Sequence, residues 1–494
     1  MAKLTRRALL LGTGAVIGGL ATHAMRQSLP VLDGTAPANP ARTEGFLNDA
    51  SGLSPTPVHR HVILNDDPGE TLIAAIRAEM EDARANGRPV NIGAARHSMG
   101  AQAIPRLGHA ITYDNGWVEE DTREGLMQVH AGARWSQVIA ALDPLGQSPR
   151  VMQSNNDFGV AATFCVNAHG WPVVEGPMGA TVESLDMILP SGELVTCSRD
   201  ENPQLFGMTM GGYGLTGAIV KMRVHTAPNL RLLPEFEVMP AGDFAPRFTE
   251  ALARGDVRMA YGRLNVDRAA FFTEALMITY REAADQSDLP AASGSGVMSH
   301  LARHIYRAQL GRERIKRLRW WTETALGPRL AGEATRNSLI NEPVVTLDDR
   351  DPNRTDILHE YFVPPARFTD FLTACREVIP ASYQEFLNVT LRYVDSDRDS
   401  WLAYAPEPRI AAVMSFSQEM TRRAEVDMMR MTQGLIDRIT AIGGTYYLPY
   451  RPHATTAQFT RAYPRAQEFV AAKRALDPGT MFRNGLWDTY MERL

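Results

Sequence analysis

Leu72, Ile73, Ile76 and Met80 recur at helical spacing, with Pro68-Gly69 before them and Gly87 after them. That pattern predicts a surface helix over residues 71–85. It leads into a short apolar run, Val90 to Ile92, which reads as a strand. The strand empties into small residues, Gly93, Ala94 and Ala95, and then into Arg96, His97 and Ser98. A strand that ends in small residues lets backbone N–H groups approach an anion closely, because no bulky side chain intervenes. Further strands are expected at 110–113 and 127–131, and a helix at 135–142 closed by Pro144 and Gly146.

The stretch Ser154 to Gly170 is small, polar and almost uncharged, which suits close packing along an extended ligand. Residues 184–189 and 193–197 flank Pro190-Ser191-Gly192 and read as a hairpin, and 218–224 reads as a strand. From 229 to 450 the texture changes. Helical spacing is visible at 247–254, 299–325 and 425–442, and strand patterns occur at 258–264, 358–363, 389–394 and 411–416.

Length and charge narrow the class. A chain of 494 residues has room for about two to four domains. Its net charge of −5 gives no reason to expect a nucleic-acid partner. Cys165, Cys197 and Cys375 are odd in number and widely spaced, so neither a metal box nor a disulfide framework is expected. At the N-terminus, Lys3, Arg6 and Arg7 precede the apolar run Ala8 to Ala21 and the small-residue exit Thr22-His23-Ala24. This is the layout of an export signal, and Arg6-Arg7 resembles a twin-arginine signal. It implies a periplasmic protein that folds before export, or a membrane-anchored one where the signal stays uncleaved. Residues 25–55 are rich in Pro, Ala, Thr and Ser and read as a linker.

The ordered set of motifs carries a resemblance. Gly93-Ala-Ala-Arg-His-Ser98, Gly159 to Gly170, Leu189 to Ser198, Asn202-Pro-Gln-Leu-Phe206 and Gly211 to Ile219 together resemble the PCMH-type FAD-binding domain of the vanillyl-alcohol oxidase superfamily. The C-terminal run Phe469 to Trp487 resembles the closing segment of its aldonolactone and alditol oxidase group. The fold so implied is α+β. A two-part PCMH-type FAD-binding domain at 58–227 is joined to an α+β substrate-binding cap at 229–450. Residues 451–494 then return to the FAD domain, and residues 1–24 are the signal.

The resemblance also implies roles. FAD contacts fall on Gly93, Ala94, Ala95, Arg96, His97, Ser98, Gln102, Ser154, Gly159, Thr163, Asn167, His169, Ile219 and Asn484. In this group a histidine at the position of His97 is commonly bonded to the flavin 8α-methyl, and Asn484 lies near the flavin. No cysteine stands near Asn156-Asp157 for a second bond. The group's catalytic Glu-x-Arg strand is half present, with Arg392 but Thr390 in place of Glu. Its Arg-Pro-His-Trp-Gly-Lys segment is also half present, as Arg451-Pro452-His453 with Thr456 in place of Lys. Arg392 and His453 are therefore the catalytic candidates, with Tyr447, Tyr450 and Glu360 as further candidates for the pocket wall.

The implied activity is an FAD-dependent oxidoreductase taking hydride from a hydroxyl-bearing carbon of a small-molecule substrate. Oxygen, a quinone or a periplasmic carrier would receive the electrons, and no metal is required. The missing Glu and Lys keep two alternatives open. One is a lipidic substrate, as for sterol-reductase-like or decaprenylphosphoryl-ribose-oxidase-like enzymes. The other is a non-catalytic flavin-binding electron-transfer partner. The basic run Arg312 to Trp321 reads as a solvated helix face or, through Trp320 and Trp321, as a membrane-surface contact.

Overall fold

The structure is a computed structural model that describes residues 44–121, 124–294, 304–342, 351 and 353–494. The export signal and most of the expected linker lie outside the described residues. The end of that linker does not behave as one. Phe46–Leu47 pairs with Thr56–Pro57, and Ser51 is buried. Asn48 and Asp49 accept the backbone N–H groups of Ser54 and Ser51, which closes a turn.

Three sheets follow. A parallel three-stranded sheet runs Arg60–Leu64, His109–Tyr113, Val90–Gly93. Parallel neighbours need a crossover, and helix Glu70–Ala85 supplies one, burying Leu72, Ile76, Met80 and Ala83. A mixed-length antiparallel sheet has Ala218–Pro228 at its centre, between Val182–Ile188 and Leu126–His130. The expected hairpin is present as Val182–Ile188 with Leu194–Ser198. These two sheets share one core, in which Val90, Ile111, Met127, Trp135, Phe164 and Met222 take part.

The third sheet has eight strands and spans the second half of the chain. Its order is Ala334–Thr335, Arg231–Pro240, Glu274–Glu282, Val257–Leu264, Glu385–Val394, Arg409–Glu419, Arg354–Val363, Thr445–Tyr446. Alternation along each strand gives it two different faces. Helices Phe244–Ala253, Phe368–Val378 and Arg422–Ala441 cover the rear face and join it in a second core. On the front face, pairing aligns Glu360, Val413, Thr390 and Arg263 in one row across four strands. Met259, Leu276 and Ile278 join the core of the first two sheets.

The C-terminal segment does return to the first half of the chain. Phe482 bridges Val90 in parallel, and the Val90 N–H donates to Met481 O at 2.7 Å. The buried Lys473–Asp477 ion pair braces this turn, because Asp477 also accepts the N–H groups of Met481 and Phe482. Of the helix expected over 299–325, residues 299–303 lie outside the described residues. The remainder is helical at 304–308 and again from Glu313 to Leu330, with wider π turns at Thr322–Leu326.

His453 is a correction. It belongs to a polar cluster at helix Arg422–Ala441 on the rear side, not to the front face. Its Nε2–H donates to Glu425 at 2.9 Å, and its Nδ1 is 3.1 Å from Thr432 Oγ1. Arg451 pairs with the same carboxylate and also donates to Ser54 Oγ and Met99 O. The cluster therefore clips the chain around Ser54 and Met99 to the helix behind the sheet. Burial would raise the Glu425 carboxyl, but the His453 hydrogen bond and the Arg451 charge more than offset it and hold it well below the usual carboxylate range. Burial, with the adjacent His453, pushes the neighbouring His359 down to about 3.

These shifts set a pH dependence. An unfolded histidine takes up its proton below about pH 6.5, and the folded His359 refuses it until about 3. Stability present above pH 6.5 is therefore lost as the pH falls through that window. The slope is up to about 1.4 kcal/mol per pH unit for this one group. Glu425 adds its own loss only below about pH 4.3, the unfolded carboxyl value. Denaturant melts from pH 7 to 4.5 should show the His359→Gln variant with a shallower slope than the parent, by up to one proton.

Candidate active site

Between the first two sheets and the front face of the third lies a deep cleft with about 1500 Å³ of empty space, its open mouth included. Its first wall is the loop after strand Val90–Gly93. Gly93 is small for a reason. A Cβ there would lie 3.0 Å from Ala103 O and from the Arg96 guanidinium, which folds back over it. Gly159 is likewise forced, because a Cβ would lie 2.4 Å from Ala94 Cβ. The two small-residue motifs of the sequence thus meet.

Their meeting point is cationic. Arg96 Nε and Nη2 and Arg134 Nη1 are buried with no hydrogen-bond partner among the described residues. Burial, with the Arg134 charge, pushes the Arg96 guanidinium down to about 10. Buried guanidinium N–H groups without partners favour an anion between close-approaching backbones. The pyrophosphate of FAD has that chemistry.

His97 sits further along the same loop. Its ring packs on Phe158 at 4.3 Å between centroids, and its Nε2 is 3.9 Å from Asp157. Ala95, Ser98 and Ile219 line the cleft beside it. Thr163 and Gln102 also line it, but their polar atoms are spent on structure. Thr163 Oγ1 donates to Val160 O and accepts from Trp135 Nε1. Gln102 accepts from Gly100 N and donates to Leu448 O and Tyr450 O, tying the loop to the C-terminal segment.

The far wall is the front face of the eight-stranded sheet. Arg392 points into the cleft from strand Glu385–Val394. It donates through Nη2 to Ser154 Oγ at 3.1 Å and through Nη1 to His169 O at 3.3 Å. Its Nε is buried without a partner, and burial lowers its pKa. Two strands away, Glu360 is 3% exposed and His169 is 4% exposed. His169 Nε2–H donates to one Glu360 oxygen, and the Tyr450 hydroxyl donates to the other at 3.1 Å. Burial, and then Glu360 itself, raises the Tyr450 phenol well above its usual value, so it stays a donor.

The cleft gathers most of the expected residues. Asn167 and Asn484 do not line it, as His453 does not. Asn167, in a left-handed turn with φ 48°, donates to Asp397 and Ser400 and accepts from Gly179 N. Asn484 donates to Tyr213 O at 2.8 Å and caps Leu486 and Trp487. Both are braces behind the wall. Thr390, where the resemblance calls for Glu, accepts from Arg263 Nη1 at 2.7 Å, so a hydroxyl holding a cation replaces the acid. The carboxylate in the cleft is Glu360 instead. Arg134 was not anticipated. Its only sequence signal is its place just before the helix Trp135–Leu142.

Comparison with known proteins agrees with the geometry. Residues 71–198 match the family model described as FAD binding domain. Cytokinin dehydrogenase 7 of Oryza sativa subsp. japonica is 34% identical over 118 residues, 22% of each chain. D-arabinono-1,4-lactone oxidase of Yarrowia lipolytica is 35% identical over 100 residues, 20% of this chain and 19% of that one. Cytokinin dehydrogenase 2 of Arabidopsis thaliana is 32% identical over 147 residues, 28% of this chain and 29% of that one. The aligned segments span less than a third of these relatives. They support FAD as the cofactor and agree with the expected PCMH-type domain of the aldonolactone-oxidase-like group.

Arg96→Gln tests the pyrophosphate assignment. A charged hydrogen bond is worth about 1.5–3 kcal/mol, so apoprotein reconstituted with FAD should bind it roughly ten- to a hundredfold more weakly. Unchanged affinity by fluorescence titration would remove Arg96 from the cofactor site.

Proposed function

With residues 71–198 an FAD binding domain, we propose that the protein is an FAD-dependent oxidoreductase acting on a hydroxyl-bearing carbon of a small-molecule substrate. FAD, when bound, supplies the hydride acceptor at its N5. One observation carries this reading: the cleft that holds the FAD loop also holds a buried carboxylate, Glu360, on His169 and Tyr450.

Oxidising an alcohol carbon requires the O–H proton to leave. Glu360 is the acceptor in this proposal. His169 and Tyr450 fix its two oxygens, so the carboxylate is oriented before substrate arrives. Arg392 presents a guanidinium with a free buried Nε to the substrate oxygen or to negative charge developing nearby. Ser154 and the His169 carbonyl hold that guanidinium in place. Leu358, Val413 and Tyr447 supply apolar walls that exclude water. Export through the twin-arginine route belongs to the same proposal, with oxygen, a quinone or a periplasmic carrier as final electron acceptor.

Two tests follow. Anaerobic mixing of the holoprotein with aldonolactones, polyols and hydroxyl-bearing lipids should bleach the flavin with at least one compound. Glu360→Gln should keep its FAD and slow that bleaching about 10²–10⁴-fold. An equal rate in the variant would remove Glu360 from proton transfer, whereas bound FAD that no compound reduces would favour the electron-transfer reading. His97 is proposed as a covalent flavin anchor through its ring. Acid-precipitated parent should stay yellow with an FAD-sized mass on the His97 peptide, and His97→Ala should give a colourless pellet. A colourless parent pellet would show that the cofactor is not covalently held.

A further inference from the structure

The helical segment Glu313 to Leu330 has two faces of opposite character. Lys316, Arg319, Trp320 and Glu323 lie at spacings of three, four and seven and turn inward. Lys316 donates to Glu313 at 3.0 Å and to Glu385 at 3.5 Å. Arg319 donates to Leu387 O, to Asn388 Oδ1 and to Glu323. Trp320 Nε1 donates to Glu274 at 2.9 Å. Gly327 lies against Phe236. These contacts seat the segment on the front face of the eight-stranded sheet, in the rows next to Thr390 and Arg392.

The other face repeats the same spacing with other chemistry. Arg314, Arg317, Leu318 and Trp321 point outward, followed by Pro328, Arg329 and Leu330. Leu318 is 53% exposed and Trp321 is 55% exposed, and Trp321 is the one tryptophan exposed among the described residues. Both acids of the segment, Glu313 and Glu323, are held in ion pairs by Lys316 and Arg319. The outward face is left with arginines and large apolar side chains. Arg317 has one acidic neighbour, Asp267 at 3.8 Å, and the exposed Arg268 adds a further cation beside the segment.

We infer that this outward face of 313–330 docks the protein onto an anionic bilayer surface. A protein partner needs roughly 800 Å² per side for a stable interface, and one convex helix face with three or four apolar side chains falls well short. A bilayer asks for less. Trp and Leu insert shallowly at the headgroup boundary, and arginines with flexible apolar stems reach anionic headgroups. None of the helices among the described residues is long and apolar enough to cross a membrane, so this contact lies on the surface. The inference is independent of the proposed activity.

The test uses the full-length FAD-loaded protein and sucrose-loaded vesicles, either of phosphatidylcholine alone or with about one-third phosphatidylglycerol. Binding should be at least about tenfold tighter to the anionic vesicles and should weaken with salt. The double variant Arg314→Glu/Arg317→Glu should lose that preference while keeping its flavin spectrum. The apolar run at 8–21 is the same in every variant, so a second readout is local to the helix. Brominated phosphatidylglycerol should quench part of the tryptophan emission, and Trp321→Phe should abolish that part. Equal binding by the double variant together with quenching indifferent to Trp321→Phe overturns the inference. A protein dimer in sedimentation velocity that Trp321→Ser dissolves assigns the face to a second copy and overturns it equally.

Discussion

Burying the Glu360 carboxylate costs several kcal/mol unless hydrogen bonds replace its water. Two distant parts of the chain supply that replacement to a carboxylate carried by a third. His169 comes from the small-residue stretch before residue 170, Tyr450 from the C-terminal segment, and Glu360 itself from the eight-stranded sheet. Each part is anchored elsewhere. Arg392 ties the sheet to Ser154 and the His169 carbonyl, while Gln102 ties the FAD loop to Leu448 and Tyr450. The cleft is therefore closed around a charge that no single segment could hold, and the geometry of the site depends on all three meeting there.

That arrangement explains what could be read beforehand. The helix over 70–85, the strand ending at Gly93, the helix Trp135–Leu142 and the hairpin at 182–198 follow local periodicity and turn chemistry, which need no tertiary information. The FAD loop was legible because close backbone approach demands Gly and Ala at fixed places, as Gly93 and Gly159 show. The substrate side was legible in part, because Arg392, Tyr447, Tyr450 and Glu360 stand among the sequence's candidates and line the cleft. Glu360 shares strand Arg354–Val363 with Arg354, Asp356 and His359, so no local pattern marks it as the acid that faces the cleft. Glu360 and Thr390 share one row of the front face, an alignment set by register across three strands, and register is tertiary.

His453, Asn167 and Asn484 lie off the cleft for a shared reason. Each stands in a segment that does approach the cleft, but each side chain turns to the backbone or carboxylate behind it. A motif fixes where the chain passes and says less about which way a side chain points. The basic run at 312–321 divides in the same way. Lys316 and Arg319 are locked into the sheet while Arg314 and Arg317 point outward, a distinction made by helix phase rather than by composition.

If the Glu360 carboxylate and the flavin share one cleft, the flavin's midpoint potential reports on it without any substrate. Reduction adds negative charge, so a neighbouring carboxylate opposes it. Replacing Glu360 by Gln should raise the potential of the bound flavin by on the order of tens of millivolts in a dye-coupled redox titration. A potential that stays within a few millivolts of the parent would place the carboxylate outside the flavin's field and contradict the account.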